Sequence, residues 1–553
     1  MMDYKKLADL LYPNTDKTID YYINKYPKRD LPNGAEVMRI APSPTGYLHT
    51  GHAYSAFISR ATTRKTNGVF YMRLEDTDQK RLIENAGTIA YDMLCYYDMK
   101  PDEGYTGDGK EQVGIYGDYI QSNRLEIYNT FAKHLVSIGR AFPCFCEKSE
   151  GKEDVLNKRQ EQLESSDTLE DKDECRNLTL EQVEENLKQG KKFALRLLST
   201  GNIENTFKFT DEIKGERVIR ENTKDVVLMK SNGIPPYCFA HVVDDTLMHT
   251  TTVVRGEEWY PSLSAHIEIF KAFGFNPPKY AHTPVICKLD DGNKRKLSKR
   301  KDPEADVRYF IEQGYPVDSI MEYLLNLLNS DFEQWREKNP TLPYTDFDFK
   351  ISKIGSNNPM FDFNKLNDVS KNFISKLSKD RVYSMLTEYA KVYDNEFYNL
   401  LTKDEEYSKN VLNIDRETAK PRKDIAKWNE VKPYYNYMFD LFNPTALTDY
   451  EIDVVDTQKL KEVCQAYTAV YNQADDKQTW FNRIKEMADS IGYASDNKLY
   501  KQNPQNYKGN VSDICMYIRI AVTGRKNSPD LYSICSILGY DKVMERLNDV
   551  CKF

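Results

Sequence analysis

The chain contains no apolar run long enough to span a bilayer, so no membrane-crossing helix is expected. Its ten cysteines are scattered over 553 residues without dense or regular spacing, which excludes a disulfide-stapled secreted scaffold and points to a reducing cytoplasm. The first stretch, Met1 to Leu11, is too short and too charged for a secretory signal, and none is expected. Internal repeats and low-complexity tracts are lacking too. Positive charge is not in excess, the net being −8. That does not exclude nucleic acid, because recognition needs a local basic face rather than a basic average. Lys288, Lys294, Arg295, Lys296, Lys299, Arg300 and Lys301 form such a concentration.

What is present is an ordinary globular composition, 40 % hydrophobic and 29 % charged, so ordered domains are expected. The length is too great for one core and implies roughly three to five domains. Residues 1–34 read as a small helical extension ending in the turn signal Asp30-Leu-Pro-Asn-Gly34. Glu36–Ala41 reads as a buried strand. A Pro/Gly loop, a helix from about Ala53 to Asn67 and a second strand at Val69–Leu74 follow. This βαβ pattern implies a parallel sheet with a ligand at the carboxyl ends of its strands. Glu147–Gly190 is very polar and expected to be helical and exposed, and strand signals return at Phe193–Leu198 and Val226–Met229. Another α/β portion runs from about Pro236 to Ile286. From Pro316 the period becomes helical, with Val317, Ile320, Met321, Leu324, Leu325 and Leu328 on one face.

Two short segments carry phosphate chemistry. The first is Pro42-Ser-Pro-Thr-Gly-Tyr-Leu-His-Thr-Gly-His-Ala53. Gly46 and Gly51 let the backbone approach a ligand closely, and Pro42 and Pro44 stiffen the loop. A helix starting near His52 would aim its free N–H groups at a phosphate, with His49 and His52 as further donors. The second is Lys296-Leu-Ser-Lys-Arg300, whose lysines would neutralise charge on a leaving pyrophosphate.

Pro42–Ala53 resembles the HIGH motif of class I aminoacyl-tRNA synthetases, with Thr50 where the name spells isoleucine, and Arg39–Gly46 is similar to the form in glutamyl-tRNA synthetases. Lys296–Arg300 resembles that branch's KMSKS variant. Phe70–Arg81, Gly117–Arg124, Ser231–Asp245, Val254–Glu258 and Met516–Asp530 resemble further blocks of the same family, leaving only the leading extension outside the likeness.

The resemblance implies an α/β Rossmann-like catalytic domain (35–140 and 226–305) split by an α+β, acceptor-binding insertion (141–225). All-α C-terminal domains follow, a connecting one (306–370) and an anticodon-binding one (371–553). It implies glutamate activation by ATP with Mg²⁺ and transfer to tRNA(Glu) by a monomer. The residues do not decide whether tRNA(Gln) is also charged. Implied roles are catalysis for His49, His52, Lys296 and Lys299, and ATP binding for Pro42, Thr45, Gly46, His49, Gly51, His52 and Lys299. Glutamate would be held by Arg39, Ser43, Glu75, Tyr237, His241 and Arg255, because an arginine fork suits a carboxylate, and tRNA by Arg81 and Arg422. Cys144, Cys146 and Cys175 resemble a zinc site found in some glutamyl enzymes. The fourth position expected there is Asn177, a poor ligand, so zinc is not expected. Rival readings are a synthetase-like RNA-binding protein without catalysis, a truncated relative that modifies a tRNA base, and a glutaminyl enzyme with a β-barrel anticodon region.

Overall fold

A computed structural model describes residues 2–107, 112–146, 173–298, 300–452 and 455–553. The chain divides into two compact units, residues 1–309 with 321–362, and residues 310–320 with 363–553.

The first unit opens with helices α1 (Tyr4–Leu11) and α2 (Ile19–Lys25), begun by Asp3 and Thr18, whose side chains accept N–H groups of the first turn. Strand β1 (Val37–Ile40) leads into α3 (Thr50–Thr66) and β2 (Val69–Met72). β1 and β2 are parallel, with Val37 opposite Val69, which is the expected βαβ unit. Helix α3 begins at Thr50, earlier than expected, because the His49 imidazole caps it. It ends at Asn67 in the left-handed region, followed by Gly68, where any Cβ would collide with the Glu36 carbonyl. Helix α4 (Ala86–Tyr96) then crosses to β3 (Glu103–Tyr105), parallel to β2, with the short β4 (Gln112–Val113) antiparallel at the edge.

Helix α5 (Leu125–Ser137) and β5 (Ala141–Cys144) enter the insertion. Most of the polar stretch expected to be helical lies outside the described residues. Its end forms a turn at Glu174–Asn177 and α6 (Leu180–Lys188), which Thr179 and Gln182 start as a capping box. β6 (Ala194–Leu197), the hairpin β7 (Thr206–Asp211) and β8 (Gly215–Arg220), and β9 (Val227–Met229) follow. β5, β6 and β9 make an antiparallel sheet beside α6, so the segment is α+β as expected, with its last strand past the boundary expected at 225.

The α/β pattern resumes with α7 (Tyr237–Leu247), β10 (Thr252–Gly256), α8 (Leu263–Phe273) and β11 (Lys279–Thr283). β10 and β11 are parallel. β10 lies beside β1, where Thr251 N–H donates to the Val37 carbonyl at 2.9 Å. The parallel runs β3-β2-β1 and β10-β11 thus meet with β1 beside β10, and the crevice beyond the carboxyl ends at such a meeting point is where sheets of this kind bind ligands. A hairpin of β12 (Cys287–Asp290) and β13 (Asn293–Lys296) carries the second signature segment. The apolar faces of α1, α2, α5, α7 and α8 meet in one core containing Leu7, Leu11, Tyr22, Phe131, Leu135, Val243 and Phe270.

The second unit contains helices and turns with no strand among its described residues. Helices Lys379–Tyr393, Thr457–Val470, Lys477–Ser490, Val511–Thr523 and Tyr540–Lys552 surround a core that includes Leu386, Leu460, Trp480, Ile518 and Leu547.

Candidate active site

The crevice between β1 and β10 holds a cavity of about 470 Å³, within the usual range for a small-molecule site. Its lining takes in Thr45, Gly46, His49, Gly51, His52 and Lys296 on the one hand and Arg39, Ser43, Glu75, Tyr237 and Arg255 on the other. The two signature segments thus meet across one cavity, as their assignment to one triphosphate requires.

In the first of these groups, the His49 Nδ1 accepts the Gly51 N–H at 2.9 Å. A neutral imidazole bonded in this way carries its proton on Nε2. A Cβ on Gly51 would lie 3.3 Å from that Nδ1, so glycine leaves the cap its room. His52 is exposed on the first turn of α3, where the positive end of the helix dipole favours an anion.

The lysine hairpin is anchored by carboxylates. Arg295 donates to both oxygens of Asp302 at 2.6 and 2.8 Å, Ser298 N–H donates to Asp302 at 2.8 Å, and Lys288 Nζ lies 2.6 Å from Glu304. The Arg295 bonds hold the Asp302 carboxyl far below the usual carboxylate range. The following turn is stitched to α3. The buried Thr50 hydroxyl donates to the Glu304 carbonyl at 2.7 Å, and His49 bridges backbone with Asp306. Lys296 reaches the cavity half-exposed, 4.0 Å from Glu258. Lys299 lies outside the described residues.

In the second group, Arg39 is buried, donating to the Val254 carbonyl at 3.2 Å, with Asp245 3.5 Å away. Asp245 also accepts from Arg73 at 2.7 Å, and Arg73 bonds Glu75 at 2.9 Å. Arg124 is fully buried on Asp244 at 2.7 Å and on backbone carbonyls, a structural placement. Tyr237 packs on Trp259 with ring centroids 4.5 Å apart.

The family model described as tRNA synthetases class I (E and Q), catalytic domain, matches residues 36–338, and an anticodon binding domain matches residues 381–551. The chain belongs to the class I tRNA synthetases of the glutamate and glutamine type. The glutamate–tRNA ligase of Clostridium perfringens strain 13 is 45 % identical to it over 548 residues, covering 99 % of this chain and 100 % of the relative. That of Acetivibrio thermocellus is 44 % identical over 549 residues, covering 99 % of each. A crystal structure of a glutamate tRNA ligase from Elizabethkingia meningosepticum in complex with its amino acid shares the fold, with a TM-score of 0.71 over 94 % of this chain and 99 % of that one at 21 % identity.

These matches correct one expectation: the extension is not outside the likeness, because the Clostridium relative aligns with 99 % of this synthetase. Two residues expected at the pocket, Pro42 and His241, do not line the cavity. Pro42 is buried with its carbonyl accepting the Glu75 N–H at 3.1 Å, a support beneath the loop. His241 is fully buried behind Tyr237, bonded to Asp245 at 2.6 Å and Tyr280 at 3.2 Å, and burial pulls its pKa down to about 4. Arg81 is on the surface, paired with Asp78. Arg422, in the second unit, donates to Asp424 at 2.6 Å, and Tyr434 bonds the same carboxylate.

Sequence reasoning missed Asp211, His266 and His282, which approach Arg255 only through the fold, and Asp173. The Asp173 carboxylate joins Cys144, Cys146 and Cys175 so that four donor atoms lie within 4.8 Å of one another. The fourth place assigned to Asn177 thus has a real ligand candidate upstream of Cys175.

Proposed function

We propose that this synthetase activates glutamate with Mg²⁺–ATP and transfers it to the 3′-terminal adenosine of tRNA(Glu). The observation that carries the reading is that one cavity is lined both by residues of the two signature segments and by two buried arginines. ATP would lie with its phosphates between α3 and the lysine hairpin. The carboxylate groups of glutamate would face Arg255 and Arg39, with Glu75 facing its ammonium group.

The glutamate α-carboxylate then attacks the α-phosphorus, a carboxylate–phosphate bond forms, and the bond to the β-phosphate's bridging oxygen breaks. His49 and His52 would donate to the phosphates. Lys296, with Lys299 of the same motif, would offset the charge on departing pyrophosphate. In the second step the terminal ribose hydroxyl displaces AMP. The rate comes from positioning and preorganised charge, with no covalent protein nucleophile. The intact histidines and Lys296 on one cavity favour this over a binding protein without catalysis.

The test is ATP–pyrophosphate exchange with glutamate and tRNA(Glu). Lys299→Ala is expected to lower kcat by about 10²–10³ with tRNA affinity little changed. Exchange supported by glutamine and not by glutamate would reject the substrate assignment, and an undiminished variant would remove Lys299 from its role.

The donor group Cys144, Cys146, Asp173 and Cys175 fits tetrahedral zinc, for which three thiolates and a carboxylate are suitable ligands. There the ion would supply only structure, tying the end of β5 to the turn at Glu174–Asn177.

A further inference from the structure

Arg255 differs from the other buried arginines of this unit in what holds it. Arg39, Arg73 and Arg124 each face an aspartate. Among the described residues, no carboxylate pairs with Arg255, though only 6 % of it is exposed. Its Nε donates to His282 Nε2 at 3.0 Å, and its Nη1 to His266 Nδ1 at 3.1 Å and to the Tyr237 hydroxyl at 3.4 Å. The guanidinium lies 4.7 Å from the Tyr280 ring. Its Nη2 is buried without a hydrogen-bond partner.

The histidines can accept only if they are neutral, and the surroundings keep them so. His282 Nδ1 donates to Asp211 at 2.6 Å. Asp211 also accepts backbone N–H groups of Ile213 and Lys214, at 3.0 and 2.9 Å, which fixes its carboxylate in place. With Nδ1 committed as donor, Nε2 is left as the acceptor that Arg255 uses. Burial, and Arg255 itself, lower the pKa of His266 and of His282, more strongly for His266.

We propose that Asp211, His282 and His266 form a mount that orients Arg255 without neutralising it, which makes the two histidines positioning and specificity-determining residues for an anionic amino-acid side chain. A carboxylate in place of either imidazole would orient the fork equally well but cancel the charge. The pocket would then lose its reason to prefer glutamate over glutamine. A buried guanidinium with neutral partners still needs a counter-ion, and Nη2 is the donor left to meet it.

The inference rests on Arg255 facing the glutamate carboxylate, so the experiment separates the two. ATP–pyrophosphate exchange on the full chain with tRNA would be measured for Arg255→Gln, His282→Gln and His282→Glu, with the melting temperature alongside. His282→Gln and His282→Glu have nearly the same shape and differ in charge. The glutamine variant is expected to keep the KM for glutamate within about 3-fold. The glutamate variant should raise it on the order of 100-fold while leaving the KM for ATP near the parent's. It should also narrow the preference for glutamate over glutamine. If Arg255→Gln leaves the KM for glutamate unmoved, the pocket reading fails, and the mount with it. If Arg255→Gln raises that KM while the two His282 variants behave alike, the mount alone is overturned. Should the His282 variants fold poorly, His266→Gln and His266→Glu make the same charge comparison on the second imidazole, with the same expected and overturning results.

Discussion

Thr50 is the residue at which this chain departs from the His-Ile-Gly-His spelling. Composition gives it no special weight, and isoleucine, which is larger, has no hydroxyl to donate. In the fold its hydroxyl bonds the first turn of α3 directly to the turn that follows the lysine hairpin. Removing the hydroxyl while keeping the shape leaves a buried carbonyl without its donor, at a cost of about 1–3 kcal/mol. Thr50→Val is therefore expected to lower kcat in pyrophosphate exchange by about 10-fold with the KM for glutamate unchanged, and Thr50→Ser should retain the parent rate. Equal rates for the valine and serine variants would show that the stitch does not set the hairpin's position.

At the level of elements, the insertion is small and its three-stranded sheet of β5, β6 and β9 is short. Such a piece gains from a cross-link that its own core cannot supply. The three cysteines and Asp173 sit where one is useful. Cys144 ends β5, and Asp173 caps the turn that carries Cys175. Protein purified with zinc present is expected to carry about one zinc ion per chain. Asp173→Ala and Cys175→Ser should each lower that content and the melting temperature. Zinc-free protein with unchanged melting behaviour after chelation would leave the four donors as ordinary reduced cysteines beside an ion-paired aspartate. Arg196, 3.1 Å from Asp173, is the partner that would have to share it.

For the whole molecule, the leading extension turns out to belong to the first unit's core. Leu7, Leu11 and Tyr22 are buried with the α5 side chains Phe131 and Leu135. Arg29 forms a bidentate pair with Glu103 at 2.8 and 3.0 Å, and the Tyr26 hydroxyl donates to the Gly117 carbonyl. Leu7→Ala is expected to destabilise this unit by about 2–5 kcal/mol, the usual cost of a buried leucine, as measured by urea unfolding followed in the first unit. A loss below about 0.5 kcal/mol would show that the extension is peripheral.

Much of this protein was legible before any coordinates. Short apolar runs bounded by turn signals gave the βαβ unit and the 3.6-residue period gave the helical C-terminal part, since each element's apolar pattern is written locally. Motif spelling gave His49, His52 and Lys296, because a loop that approaches phosphate needs particular glycines and donors in order. Tertiary structure alone decided three things. It bonded Thr50 to the turn after the lysine hairpin; it gave the three cysteines a carboxylate neighbour; and it surrounded Arg255 with neutral imidazoles from α8 and β11 rather than an acid. Those depend on which distant segments become neighbours, and hydrophobic pattern does not record the hydrogen bonds that form after the chain has closed.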